Sequence, residues 1–272
     1  MVHHRPGVYS IHAPTSPTAS SSLSGLSGNL RSGSLPLILG HRGASALAPE
    51  NSLPAFERAM NDGADGVEFD VRVCRDGSVV VFHDSDLLRL GGRPERIDVL
   101  DAEAVRAIRL SSGVGIPTLT EVLQVVSASR LINVEIKVDR AFDPRLPAFC
   151  KRIAEEIDKA GVGERVIVSS FSQSAVSVWR RTRPDIRMGF LFEPEMGKLM
   201  THLLVRWLGP DAVHPHHSRC TPSAVAAWKA QGKGINVWTV DDPERLRALA
   251  TLGVDAVITN DPSAARRALL DQ

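Results

Sequence analysis

Two short apolar runs in this sequence carry charged residues at alternate positions: Val67-Glu68-Phe69-Asp70-Val71 and Val134-Glu135-Ile136-Lys137-Val138. In a strand, side chains at i and i+2 share a face, so Glu68 projects with Asp70 and Glu135 with Lys137. Two further places offer a histidine beside a charge, His41-Arg42 and His83-Asp84. Carboxylates crowded into one site raise each other's pKa unless a cation holds them together. Oxygen donors alone favour a hard ion, Mg²⁺ or Ca²⁺, over zinc, so Glu68, Asp70 and Glu135 are the candidate metal ligands. Histidine titrates near neutral pH, and the pair His41 and His83 can supply a general base and a general acid in one turnover. Arg42 as a planar fork and Lys137 as a point charge can clamp an anion. A divalent ion, two cations and two imidazoles fit the cleavage of an anionic ester that needs proton transfer at both the attacking and the leaving oxygen, a phosphodiester above all.

That chemistry requires several strand ends to meet. After Leu35 the chain alternates β-branched runs with helical periods, the pattern of parallel strands and crossover helices. The strands expected are 36–41, 66–73, 78–83, 131–138, 165–171, 186–192, 212–214, 235–240 and 256–259. Helices are expected from a cap at Asn51 or Ser52 to Asn61, and over 117–128, 144–160, 173–183, 195–207, 222–231, 243–252 and 262–270. Asp76-Gly77 between two apolar runs is a strong hairpin signal. A two-residue turn there pairs Arg75 with Ser78 and sets His83 opposite Asp70. Setting this finger aside leaves eight strands, and residues 36–270 approach the roughly 250 residues of a (β/α)8 TIM-type barrel. The expected fold is that α/β barrel, with a β-hairpin and a short insertion after the second strand. A doubly wound sheet would show a glycine-rich phosphate loop after its first strand, whereas His41-Arg42-Gly43-Ala44 does not have that pattern. Barrel strands bury their outer face under helices, so the charged residues of both runs point into the barrel mouth.

The 272 residues carry 32 Lys and Arg against 31 Asp and Glu, for a net charge of +1, and aromatics make up 5%. No bulk field or basic-aromatic interleaving draws such a chain to nucleic acid. The apolar runs fall short of the ~20 residues of a membrane span. Nine serines lie between Ser10 and Ser34, interleaved with proline and glycine, so residues 1–35 read as a disordered leader. No apolar signal core is present there, which points to a cytoplasmic location. Cys74, Cys150 and Cys220 lack metal or disulfide spacing and read as free thiols. Trp179, Trp207 and Trp228 fall at core-like helix positions, and His214-Pro215-His216-His217 reads as a loop in which His214 could line the mouth from its strand end.

In their order, His41-Arg42-Gly43, Pro49-Glu50-Asn51, Glu68-x-Asp70, His83-Asp84, Glu135-x-Lys137 and Val237-Trp238-Thr239 resemble the glycerophosphodiester phosphodiesterase family, over about residues 36–270. The resemblance implies a barrel that hydrolyses small glycerophosphodiesters to glycerol 3-phosphate and an alcohol with a divalent metal, Mg²⁺ or Ca²⁺. It matches Glu68, Asp70 and Glu135 to the metal ligands, His41 and His83 to the acid/base pair, and Arg42 and Lys137 to the phosphate binders. Glu50 and Asn51 match positions that organise the mouth, and Trp238 one that lines the substrate pocket. Two departures stand out: Ser52 replaces the usual Thr, and Leu88-Arg89-Leu90-Gly91-Gly92-Arg93 replaces the common Arg-Thr-Thr region beside the leaving group. Two other readings remain: a phospholipase D-like hydrolase of lysophospholipids, which an apolar patch beside the mouth would favour, and a non-catalytic phosphodiester-binding barrel, which loss of a histidine or a metal ligand would mark.

Overall fold

In the computed structural model, residues 35–126 and 128–271 are described. The expected leader, but for Leu35, lies outside the described residues. Eight parallel strands close on themselves: β1 (Leu37–His41), β2 (Gly66–Val73), β4 (Leu131–Ile136), β5 (Val166–Ser170), β6 (Arg187–Phe192), β7 (Ala212–Pro215), β8 (Gly234–Val237) and β9 (Ala256–Thr259). Closure is made by β1, which pairs with both β9 and β2. Strand β3 (Val79–Val81) lies antiparallel against β2 outside the ring. The outer layer consists of α1 (Leu53–Asn61), α4 (Leu119–Val125), α5 (Leu146–Ala160), α6 (Gln173–Thr182), α7 (Lys198–Leu208), α8 (Pro222–Ala230), α9 (Pro243–Leu252) and α10 (Pro262–Leu270). The short α2 (Leu88–Gly91) and α3 (Ala102–Ala107) belong to the insertion after the hairpin.

Alternation along the strands decides what faces where. Outward residues Val67, Phe69, Val71, Val134, Ile136 and Val168 are buried beneath the helices in the main core. Inward, each strand changes character toward its C-terminal end. Ile167, Ala212 and Ala256 pack with Leu37, Leu39 and Leu131 as an apolar floor. Two residues further along, Asn133, Ser169, His214 and Asn236 form a buried polar tier. Gly189 is required there: a Cβ on it would stand 2.4 Å from His214 Nε2, so the imidazole fills the space that a side chain would take. His214 is thus fully buried below the mouth, where its Nε2 accepts from the Asn236 amide at 2.9 Å, and it does not line the opening as the sequence reading allowed.

The hairpin corrects the expected register by one residue. Val71 pairs with Val81 and Cys74 N donates to Ser78 O at 2.8 Å, so three residues turn the chain instead of two. A two-residue type I′ turn needs positive φ at both central residues, but only Gly77 (φ 84) has it and Asp76 does not. His83 is therefore not set opposite Asp70; Phe82 N donates to the Asp70 carbonyl at 2.9 Å. The insertion is more structured than a loop, with Cys74, Val80, Phe82, Leu87, Ile97, Val105, Ile108, Leu110 and Ile116 forming a small core of their own. All three cysteines are free and buried. Trp179 and Trp228 are buried as expected, but Trp207 on α7 is 73% exposed.

Candidate active site

Every predicted site residue comes from a strand of the sheet or from the segment that follows one. β1 delivers His41 and turns sharply. Arg42 has φ 53, an uncommon conformation for a residue other than glycine and one that clusters at functional sites. This turn lets Arg42 N donate to Glu68 Oε2 at 3.1 Å, while Arg42 Nη1 donates to Glu50 Oε1 at 2.8 Å and Nε lies 3.1 Å from Asp70 Oδ2. Asn51 is the second residue with positive φ, at 54, a conformation its short polar side chain tolerates. Its Nδ2 donates to Asp70 Oδ2 at 2.9 Å, and its Oδ1 accepts from Asp70 N at 3.3 Å, so it fixes the Asp70 carboxylate from one side. Ser52 then caps α1, its Oγ accepting from Ala55 N at 3.3 Å.

Glu68, Asp70 and Glu135 meet with one oxygen from each within 4.8 Å of the others, all three buried. Lys137 Nζ lies 2.5 Å from Glu135 Oε1 and 3.0 Å from Asp70 Oδ1. Burial raises the pKa of Asp70, yet Lys137 and Arg42 outweigh it and hold Asp70 well below the usual carboxylate range. Glu68 carries the opposing stress. Burial first, then repulsion by Asp70, push it up to about 8. Burial and the neighbouring carboxylates likewise raise Glu135 to about 7 against the pull of Lys137. When ionised, the three carboxylates outnumber the two cations, and as a set of hard oxygen donors they suit a hard divalent ion that would displace the protons of Glu68 and Glu135.

The two imidazoles approach this cradle with different supports. His41 Nδ1 lies 2.7 Å from Asn260 Oδ1. The orientation of that amide is dictated by Asp241, whose carboxylate only accepts: it takes Asn260 Nδ2 at 2.5 Å and Asn260 N at 2.8 Å. His41 therefore donates through Nδ1, and its Nε2 faces the cradle, 4.0 Å from Glu68 Oε2. His83 Nδ1 lies 2.7 Å from Asp84 Oδ1 instead. Arg89 Nε donates to Asp84 Oδ2 at 2.6 Å and its two Nη atoms donate to Glu50 at 2.7 and 2.8 Å, so an unbroken chain runs from His83 through Asp84, Arg89 and Glu50 to Arg42. Burial and then Arg42 lower the pKa of His41. His83 is also lowered, by burial first and by Lys137 and Arg42, against the pull of Asp70 and Asp84.

Trp238 stands at the rim, its ring edge-on to Phe171 at 5.3 Å and to His216 at 5.2 Å, and its Nε1 donates to His214 O at 2.7 Å. The structure thus brings together all ten predicted residues. Sequence reasoning missed Asn260 and Asp241, and it treated Arg89 only as a departure from pattern. The position of Asn260 directly after the last strand was the available signal.

A sequence profile described as the Glycerophosphoryl diester phosphodiesterase family matches residues 41–264. A glycerophosphodiester phosphodiesterase of Caldanaerobacter subterraneus subsp. tengcongensis is 32% identical over 235 residues, covering 83% of this chain and 94% of that protein. Among solved structures, a glycerophosphoryl diester phosphodiesterase from Silicibacter pomeroyi superposes with a TM-score of 0.82 at 25% identity, over 92% of this chain and 97% of that one. An Oleispira antarctica phosphodiesterase, solved in complex with the product sn-glycerol-3-phosphate, superposes with a TM-score of 0.78 at 26% identity, over 88% and 98%.

Proposed function

This chain belongs to the glycerophosphoryl diester phosphodiesterase family, and from that premise we propose that its barrel mouth hydrolyses glycerophosphodiesters to glycerol 3-phosphate with His41 and His83 as the proton-transfer pair. The observation that carries this reading is the pair of imidazoles beside three carboxylates and two cations, each with Nδ1 committed to a protein partner. Glu68, Asp70 and Glu135 would hold a divalent ion, Mg²⁺ or Ca²⁺, whose charge polarises a phosphoryl oxygen and offsets the charge that develops there.

The chain's own groups do the rest. Arg42 and Lys137 bind the phosphate anion, with Arg42 braced by Glu50. His41, donating through Nδ1 to a neutral amide and lying next to Arg42, enters the reaction neutral and takes the proton of the attacking oxygen at Nε2. As that oxygen bonds to phosphorus, the bond to the leaving alcohol opens, and His83 delivers a proton to the departing oxygen. Asp84 suits His83 to this role because a carboxylate stabilises the imidazolium. Trp238 and Phe171 form an apolar wall for the carbon skeleton. Domain bounds of 36–270 follow from the same reading.

The test is turnover of glycerophosphocholine, glycerophosphoethanolamine and glycerophosphoglycerol by the full chain with Mg²⁺ or Ca²⁺ added. Release of glycerol 3-phosphate is expected. Release of a phosphorylated alcohol and free glycerol instead would reverse the assignment of leaving group.

A further inference from the structure

Helix α7 has more apolar surface than its packing uses. Thr201, Leu204, Val205 and Leu208 face the barrel and are buried. Yet Leu199 is 72% exposed and Trp207 73%, with Met200 and Leu203 also open to solvent. At 100° per residue, Leu199, Leu203, Trp207 and Met200 form one continuous stripe about 100° wide. Lys198, His202 and Arg206, spaced four residues apart, border that stripe on one side, and α7 contains no acid. Lys198 and Arg206 make no ion pair among the described residues. Of the acids in the flanking loops, Glu193 acts on Lys137 and Glu195 on His216, while Asp211 lies 3.7 Å from Arg180 on α6.

Open grooves on both sides leave this ridge free. One of about 590 Å³ runs from Phe171 at the mouth, past Ser174 and Ser177, to Trp207. The other, about 460 Å³, is lined by Lys198, His202 and Trp228. Phe142, adjoining the first groove through Ala141, is 80% exposed.

We propose that α7 docks this enzyme on an anionic phospholipid bilayer, with Leu199, Met200, Leu203 and Trp207 inserted among the upper acyl chains and Lys198 and Arg206 set against the lipid phosphates. A surface helix with an apolar stripe containing Trp and Leu beside a basic one has the composition that lies in a membrane interface. The acid-free basic border selects a negative surface. The groove between Trp207 and Phe171 joins the docking face to the mouth, so docking presents the active site to the bilayer. No helix among the described residues is long and apolar enough to cross a membrane, so the attachment is peripheral. This proposal does not depend on the chemistry assigned to the mouth, because binding is read without turnover.

The experiment is co-flotation of the full chain with vesicles of equal parts phosphatidylcholine and phosphatidylglycerol, against phosphatidylcholine alone. Binding to the anionic vesicles is expected, weakening as salt is raised. Leu203→Glu with Trp207→Glu should lower partitioning about 100-fold, from the loss of two large inserted side chains. Lys198→Glu with Arg206→Glu should abolish the preference for the anionic lipid. Trp207→Phe keeps the apolar surface and guards against misfolding: the blue shift of tryptophan emission on vesicle addition should vanish in it while binding persists. Absence of flotation, or flotation indifferent to the α7 variants, overturns the proposal. So does a dimer in light scattering that the α7 variants dissolve, which would assign the stripe to a second copy of the chain.

Discussion

The floor of the barrel and its mouth are built by the same strands, a few residues apart, and they answer opposite demands. At the floor, Ile167, Ala212, Ala256 and their neighbours fill space with apolar side chains. At the mouth, Glu68, Asp70 and Glu135 are buried against one another, two pKa values are driven up, and Arg42 and Asn51 hold uncommon backbone angles. The floor supplies the stability that the mouth spends, and a substitution should therefore cost folding in one place and chemistry in the other.

The largest effect belongs to the mouth. His41→Ala and His83→Ala should each lower kcat about 10²- to 10⁴-fold, the usual worth of a positioned acid or base, with melting temperature nearly unchanged. Lys137→Ala should also raise KM, because its charge meets the phosphate before and during reaction. Steady-state kinetics alongside thermal melts separates these outcomes. At the floor the pattern should invert. Ile167→Ala should cost about 2–5 kcal/mol of stability in denaturant unfolding, while the folded fraction keeps its turnover.

The pH dependence separates the regions without touching packing. A carboxylate whose pKa is raised on folding contributes stability below its unfolded value and loses it as pH rises through the folded one. Without metal, Glu68 and Glu135 should therefore erode the melting temperature as pH climbs from about 4.5 toward their raised values of about 8 and about 7. Glu68→Gln should flatten that slope, and a slope unchanged in the variant would show that the stress lies elsewhere. The smallest effect is expected at Asn260. Removing its hydrogen bond to His41, worth about 0.5–1.5 kcal/mol, should reduce kcat roughly 2- to 10-fold and leave KM in place.

What could be read from the sequence follows the same division. Charge alternating with large apolar residues in Val67–Val71 and Val134–Val138 means an inward-facing charged row only because a barrel hides its outer face, and that argument found Glu68, Asp70, Glu135 and Lys137. His41, Arg42 and His83 were legible as charged or titratable strand ends, whereas Glu50, Asn51 and Trp238 came only from the resemblance to the family. Asn260 was missed because a lone amide after a strand carries no titration signal of its own, and Asp241 because, as one of the exposed pair Asp241-Asp242, it reads as an ordinary surface acid. The hairpin register was misread because Asp-Gly serves two-residue and three-residue turns alike, and only the φ of Asp76 distinguishes them. Trp207 was misplaced because α7 is apolar on two faces, and its sequence does not say which one the barrel covers.

Under the proposed function, the crowded carboxylates of the mouth hold a cation for phosphodiester cleavage. This is tested most directly by calorimetric titration of Mg²⁺ or Ca²⁺ into the metal-stripped full chain, with glycerol 3-phosphate release from glycerophosphocholine followed at each ion concentration. Binding and turnover should rise together and saturate together in the wild type, and both should weaken in Glu68→Gln. Full turnover after exhaustive chelation, with no ion taken up, would contradict the account.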